Sequence, residues 1–469
     1  MSFFDKIENV YFLGIGGIGM SALARYFNSL GKSVSGYDLT RSDLTDRLQA
    51  EGIQISYTDS VDTVPEAVRR NLDKTLVIYT PAVPVTNEIF VFFSQSKIEM
   101  HKRARVLGMI SDNYSTIAVS GTHGKTTNSC VIANILSCAG KDNFAFLGGI
   151  SRNIDSNLMM PKAQERFSRK DTWLVAEADE FDRSFLWLHP QITIVTYVDA
   201  DHLDIYKDRD DIIQTFNKFV SQNSEDGVVI LNKVVDNLVS VGNCRKATYS
   251  ETDATADFYA TNIRLKDGVY TIDAVTPDGV ISDITIGAKG RVNIENTMAC
   301  VAASVYAGID PEYIRNGIAS FKGVRRRLEY HVQKPSCTYI DDYAHHPREL
   351  MATIKSVREL FPGKRITGIF QPHLYTRTRD FADGFAESLD LLDELILMDI
   401  YPAREKPIPG VDSRMIAGLM RNKNVTLMSD HSQIVAKVLA DKAEVVLTLG
   451  AGSVDKLIAP LTEALNEEN

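Results

Sequence analysis

The chain has 469 residues, with 51 Lys and Arg against 61 Asp and Glu, giving a formal net charge of −10. At roughly 100–200 residues per domain this length predicts two to four domains, and an apolar fraction of 44% suffices for several cores rather than a disordered chain. The acidic balance argues against a nucleic-acid binder, which needs a basic face, and no apolar run approaches the roughly 20 residues that span a bilayer, so no membrane insertion is expected. Met1-Ser-Phe-Phe-Asp-Lys6 carries neither a basic n-region nor a cleavable apolar stretch. The five cysteines, at 130, 138, 244, 300 and 337, form no CxxC pair. A reduced, cytoplasmic enzyme is the expectation.

Strand, turn and helix alternate along most of the chain, which predicts an α/β protein with parallel sheets and crossover helices. Strand Val10–Leu13 runs into a Gly-rich turn and an apolar helix, Ser21–Leu30, closed by Gly31. Strands Ser33–Tyr37 and Leu76–Tyr79 follow, and Ser111–Ser115 reads as a polar linker that ends a first unit near residue 112. A second unit opens with strand Thr116–Val119 and a second Gly-rich turn, then strands Trp173–Ala176, Ile192–Val195 and Val228–Leu231. Between Asp257 and Ile286 the period becomes alternating, with hairpin turns at Lys266-Asp-Gly268 and Pro277-Asp-Gly279, a small antiparallel insertion. Helix Glu295–Ala307, with Cys300 in its core face, restores α/β character, and Arg325-Arg-Arg327 marks a second boundary near 330. Strands Thr338–Asp341, Ile366–Phe370, Glu394–Met398 and Val445–Thr448 build a third unit. Trp173 and Trp187 read as packing residues, and His101, His331 and His431 have no neighbouring constellation.

Gly14-Ile-Gly16-Gly17-Ile-Gly19, between a strand and a helix with Asp38 about 20 residues on, matches the dinucleotide fingerprint. Its glycines let backbone approach a pyrophosphate at a helix N-terminus. Both a nicotinamide dinucleotide and a UDP-sugar contain that group, and the loop does not distinguish them. Gly121-Thr122-His123-Gly124-Lys125-Thr126-Thr127 is shorter than a standard Walker A but keeps its working parts: amides for phosphate oxygens, Lys125 for the β/γ-phosphates and the Thr126 hydroxyl for Mg²⁺. Glu177-Ala-Asp-Glu-Phe-Asp182 and Asp199-Ala-Asp-His202-Leu-Asp204 each follow a strand, where open α/β sheets bind ligands; Glu177 is a plausible Mg²⁺ ligand. Asp341-Asp342-Tyr-Ala-His345-His-Pro347 and Gln371-Pro-His373-Leu-Tyr-Thr-Arg377-Thr-Arg379 gather His, Asp and Arg at later strand ends, suited to anionic groups. The arginines at 325–327 could reach a phosphate. On these residues alone, an oxidoreductase with a nucleotide-binding regulatory domain and a non-catalytic nucleotide or UDP-sugar sensor remain alternatives.

Seven segments in order, GIGGIGMSALA (14–24), GTHGKTT (121–127), EADEFDRSFL (177–186), DADHLDIY (199–206), DDYAHHP (341–347), FQPHLYTRT (370–378) and GAG (450–452), resemble the Mur ligase family of peptidoglycan synthesis. The resemblance implies three domains: a Rossmann-like domain (1–112), a central P-loop-type ATP-binding α/β domain with the antiparallel insertion (113–330), and a C-terminal Rossmann-like domain (331–469) that closes on ATP and the amino acid. It implies ATP and Mg²⁺ as cofactors, UDP-N-acetylmuramate and L-alanine as the molecules joined, and a monomer or weak homodimer. By the same resemblance Gly14, Gly16, Gly17, Gly19 and Asp38 hold the UDP-sugar. Residues 121–127, Asn293, Arg327 and Asp342 hold ATP, and Thr126, Glu177 and His202 hold the metal. Lys125 and Arg327 act on the transferred phosphate, His345 is the candidate proton acceptor, and His373 and Arg377 take the amino acid. Departures are Val292 and Leu374, where many relatives carry His and Arg. Lys218 lies near, but not at, the spacing of a carbamylated lysine found in sister ligases.

Overall fold

The computed structural model describes residues 3–96, 98–161, 171–199, 205–403 and 405–467. Three sheets organise them. In the first, β1 (Asn9–Leu13), β2 (Ser33–Tyr37), β3 (Gln54–Ser56), β4 (Thr75–Tyr79) and β5 (Met100–Lys102) lie in the order β3-β2-β1-β4-β5, all parallel. Every residue of β1 is buried, as a strand covered on both faces requires. Val10 and Phe12 pack with Leu23 and Phe27 on one face, and Tyr11 and Leu13 with Val77 and Phe93 on the other. Each such side chain contributes about 2–3 kcal/mol of transfer free energy.

The second sheet has ten strands: β6 (Ser115–Ser120), β7 (Asn143–Ser151), β8 (Ser156–Met159), β9 (Trp173–Glu177), β10 (Ile192–Val195), β11 (Val228–Asn232), β12 (Arg245–Ser250), β13 (Phe258–Lys266), β14 (Val269–Thr276) and β15 (Gly279–Thr285). Their order is β15-β14-β13-β12-β11-β10-β6-β9-β7-β8. Strand β6 therefore lies between β9 and β10, parallel to both. The expected insertion is β13–β15, joined by two-residue turns that force antiparallel neighbours. The antiparallel pair β7–β8 at the other edge is not foreseen by the sequence pattern.

The third sheet runs β16 (Glu329–Gln333), β17 (Thr338–Asp342), β21 (Val445–Leu449), β18 (Ile366–Phe370), β19 (Glu394–Leu397), β20 (Val425–Leu427). Only β16 is antiparallel to its neighbour. The chain divides into two compact units, Met1–Ile263 with Ile272–Thr285 and Glu295–Lys322, and Arg264–Thr271 with Ile286–Ile294 and Gly323–Asn469.

Within the first of these units, helix Ile18–Ser29 packs on β7 and β8. The Tyr26 ring lies 5.6 Å from those of Phe144 and Phe146. The Asn157 amide donates to Ile18 O at 2.5 Å and Ser21 Oγ at 2.9 Å, and its oxygen accepts from Arg25. The expected polar linker is short: helix Arg103–Ser111 ends one residue before Asp112, and β6 begins at Ser115. Trp187 departs from the packing role expected of it. It is 45% exposed, with the Arg105 guanidinium over its ring. No helix among the described residues is long and apolar enough to cross a membrane.

Candidate active site

The first glycine loop leaves β1 at the switch point of its sheet, where neighbouring crossovers diverge and a crevice opens. Gly14 has φ +85, a region open to glycine, and its N–H donates to Tyr37 O at 2.8 Å. Gly17 caps the helix that follows without any side-chain bond, leaving its first amides available. Asp38, expected to help hold the UDP-sugar, turns its carboxylate to the loop's own backbone. Its Oδ2 accepts the Gly16 N–H at 2.7 Å and its Oδ1 accepts the Thr40 N–H at 3.1 Å, so it braces the loop. Arg103 lies over Gly19, where an added Cβ would meet its Nη1 at 2.5 Å. Asp38→Ala should loosen the loop and weaken UDP-sugar binding about tenfold, the scale of one charge-assisted hydrogen bond. Calorimetric titration checks this; unchanged affinity would dismiss the brace.

The second loop leaves β6, and the carboxyl ends of β9 and β10 flank it on either side. Gly121 and Gly124 have φ +111 and +81. A Cβ on Gly121 would meet Tyr197 N at 2.7 Å, and one on Gly124 would meet Asn296 Oδ1 at 2.8 Å. Helix Lys125–Cys138 starts directly from Gly124 with no side-chain cap, so its leading N–H groups and dipole are available to an anion. The buried Thr122 Oγ1 has no hydrogen-bond partner among the described residues. Thr196 steadies the loop from β10, its hydroxyl donating to His123 O at 2.5 Å. His123 Nε2 lies 3.0 Å from Asp199 Oδ2.

Lys125 Nζ donates to Gly121 O at 2.7 Å and to both carboxylate oxygens of Glu180, at 2.8 and 3.0 Å. Burial alone would lower its pKa. The carboxylates of Glu180, Asp179 and Glu177 outweigh that and hold it above the ordinary lysine value. Glu177, at the end of β9, accepts the Gly148 N–H at 3.1 Å through Oε2. A Cβ on Gly148 would overlap that carboxylate, so β7 is shaped to receive it. Thr126 is buried in the first turn of the helix. A hydroxyl and one fixed carboxylate are hard oxygen donors, and Mg²⁺ takes few protein ligands beside phosphate and water, so these residues fit that ion. His202 lies outside the described residues. Lys218 is exposed, in the last turn of helix Arg209–Val220.

In the third sheet, the ends of β17, β18 and β21 converge. Gly450 N donates to Asp342 O at 3.2 Å and Gln371 N to Leu449 O at 3.1 Å. Asp342, expected near the nucleotide, is held by its own surroundings: its oxygens accept the N–H groups of Leu328 (2.7 Å) and Ala344 (2.8 Å) and the Thr353 hydroxyl (3.3 Å). Burial pushes its pKa up to about 6, against the opposing effect of Arg327 and those amides. Arg326 is likewise structural, bound to Asp341 at 2.9 Å and Gly450 O at 2.8 Å. Arg327 stays one-third exposed, 3.9 Å from Glu349 and over the Tyr343 ring.

A row of rings runs Tyr343, His345, His373, Tyr401, with centroids 5.3, 5.9 and 5.7 Å apart. Arg377 is buried in the short helix Tyr375–Asp380. Leu374, with φ +72, stands just before that helix. Asn293 is nearly buried, its amide donating to Lys289 O at 2.6 Å; Val292 beside it is exposed. His373→Ala and Arg377→Ala should raise the KM for alanine more than that for ATP. Steady-state kinetics with each substrate varied decides this, and the reverse order would move the amino-acid pocket elsewhere.

Sequence reasoning missed Glu180, Gly148, Asn296 and Tyr401 as site residues. Glu180 stood inside a quoted motif, and an Asn in an apolar helix is a signal for Asn296; Gly148 and Tyr401 carried none.

Fold and site together define a three-domain α/β enzyme built around a phosphate loop between two acidic strand ends. Three family models match in sequence: the Mur ligase family catalytic domain at 9–115, the Mur ligase middle domain at 119–304, and the Mur ligase glutamate ligase domain at 326–452. The UDP-N-acetylmuramate–L-alanine ligase of Parabacteroides distasonis is 48% identical over 462 residues, 98% of each chain. That of Flavobacterium johnsoniae is 43% identical over 463 residues, 99% of each. Among solved structures, UDP-N-acetylmuramate-alanine ligase from Thermotoga maritima superposes with TM-score 0.81 at 24% identity, covering 98% of this chain and all of that one. A murein peptide ligase from Psychrobacter arcticus gives 0.69 at 19%, covering 98% and 99%. The chain belongs to the Mur ligase family.

Proposed function

We propose that this chain joins L-alanine to the lactyl carboxylate of UDP-N-acetylmuramate in the cytoplasm, with ATP cleaved to ADP and phosphate. The observation that carries it is the 48% identity, across 98% of both chains, to a ligase of that name. The domain boundaries we assign are 1–112, 113–330 and 331–469.

A free carboxylate is a poor acyl donor because its leaving group would be oxide. Its oxygen attacks the γ-phosphorus in line, the bond to ADP breaks, and an acyl phosphate results. Positioning and charge neutralisation dominate such a step. Lys125 and Arg327 supply cationic groups, and the amides of residues 123–127 are offered to the phosphates, the Thr122 N–H being taken by Tyr197 O at 2.9 Å. Mg²⁺, when held by Thr126, Glu177 and His202, supplies further positive charge to the phosphate oxygens. The neutral amine of alanine then attacks the acyl carbon, and the tetrahedral intermediate expels phosphate. The proton of the new ammonium passes to His345. Burial lowers the His345 pKa below its usual value, with Glu349 opposing and Arg377 adding to the effect, so the ring is neutral and able to accept at pH 7.

Protonating His345 removes the acceptor, and its depressed pKa shifts that loss downward. The acid limb of alanine-dependent turnover should therefore fall below pH 6.5, and His345→Ala should remove it; a limb unchanged in the variant would assign the proton to water. The decisive assay of function is ADP release that requires UDP-N-acetylmuramate and one free amino acid together. A panel including glycine, serine and a tripeptide fixes the acceptor, and ADP release with the tripeptide alone would overturn the alanine assignment.

A further inference from the structure

The phosphate-loop lysine does not stand open to solvent. Lys125 and Glu180 have side chains only 13% and 3% exposed, and the carboxylate meets the ammonium with both oxygens. Glu180 is held on a braced turn. Its carbonyl accepts the Tyr206 hydroxyl at 2.6 Å and the Arg183 N–H at 2.9 Å. Asp182 and Arg183, just after it, sit at φ +53 and +54. Arg183 is clamped to Asp211 at 2.8 Å and to Thr215 at 2.7 Å, and Lys102 reaches Asp182 at 2.8 Å. A turn fixed from this many sides presents its carboxylate by construction.

The surrounding charge is one-sided. Glu177, Asp179, Glu180, Asp182 and Asp199 line the ends of β9 and β10. The cations described among them are already matched, Lys125 to Glu180, Lys102 to Asp182 and Arg103 to Asp179 at 3.9 Å, and the His123 ring lies 3.0 Å from Asp199. A bare triphosphate would bring about four negative charges into this setting, where like charges repel strongly at low dielectric. It would also have to share or detach the lysine.

We propose that Glu180 is a positioning residue that acts through Lys125: it neutralises the phosphate-loop lysine until nucleotide arrives with its divalent cation, so that capture of ATP depends on the metal. This rests on the reading of residues 121–127 as a nucleotide site. It gives Glu180 a role separate from metal ligation and from contact with the reacting atoms.

The test is equilibrium binding of ATP to the whole protein, without sugar or amino acid, once with Mg²⁺ and once with EDTA. Glu180→Gln should tighten metal-free binding at least tenfold and change Mg–ATP binding by less than threefold. Glu180→Asp, which draws the charge back by one methylene, should give a smaller gain of about threefold and serves if the Gln variant does not fold. In a Lys125→Met background, Glu180→Gln should produce no metal-free gain, because the pair is already broken. Equal gains with and without Lys125, or none in either variant, overturn the proposal. Wild-type protein that fails to bind Mg–ATP overturns the nucleotide reading as well, whereas wild-type Mg–ATP binding with unaltered variants refutes only the role of Glu180.

Discussion

Lys125→Ala is expected to abolish ATP-dependent turnover, by about a thousandfold or more, the scale on which removing a charge-stabilising group acts in phosphoryl transfer. UDP-sugar binding should change by less than about threefold, because the loop after β1 is braced by Asp38 and Tyr37, while the Lys125 ammonium bonds to Gly121 and Glu180 among the described residues. Parallel measurement of ADP release and of UDP-sugar affinity tests both halves; equal loss in the two would defeat the assignment of separate sites. The substitution also strands the buried carboxylate of Glu180. Breaking a buried pair from one side costs about 3–5 kcal/mol, so the melting temperature should drop, and the double variant Lys125→Met with Glu180→Gln should recover most of it.

Gly148→Ala is the second large effect. The added methyl would overlap the Glu177 carboxylate, with its Cδ and Oε1 both at 2.5 Å, and the Gly148 N–H would lose its acceptor. Glu177 is only half-buried, so it can swing toward solvent, and the cost to folding should be small. The cost to catalysis should be large, about a hundredfold in turnover at low Mg²⁺, since a displaced first ligand costs about that much in geometry-sensitive sites. Raising Mg²⁺ should recover part of it. A magnesium dependence identical to wild type would show that Glu177 does not hold the ion.

The repeating α/β pattern was readable because buried parallel strands are short continuous apolar runs between turn residues. Val10–Leu13, Ile192–Val195 and Val228–Leu231 all fall inside observed strands. Strands with weaker patterns were not readable. β7 carries Gly148 and Gly149 in its second half, β12 begins with exposed Arg245 and Lys246, and β5 has three residues. At the site, motif spacing located the loops but not the partners. Glu180 reaches Lys125 across 55 positions and Gly148 reaches Glu177 across 29, because the order β10-β6-β9-β7 brings them together, and no local spacing encodes that order. Asp38 and Asp342 show a different limit. A carboxylate just after a strand can face a ligand or bind the N–H groups of its own turn. The residue type is the same for both, and here each oxygen is engaged by backbone.

Helix Ile18–Ser29 carries the first glycine loop at its start and is fastened to β7 and β8 through Tyr26 and Asn157, within the compact unit that also holds residues 121–127. The two loops proposed to hold anionic groups are thereby parts of one packed body, and that packing opposes a change in their separation. A single inhibitor bearing two anionic heads on a stiff spacer of matching length would find both cradles already in register, and its affinity should approach the product, not the sum, of its halves.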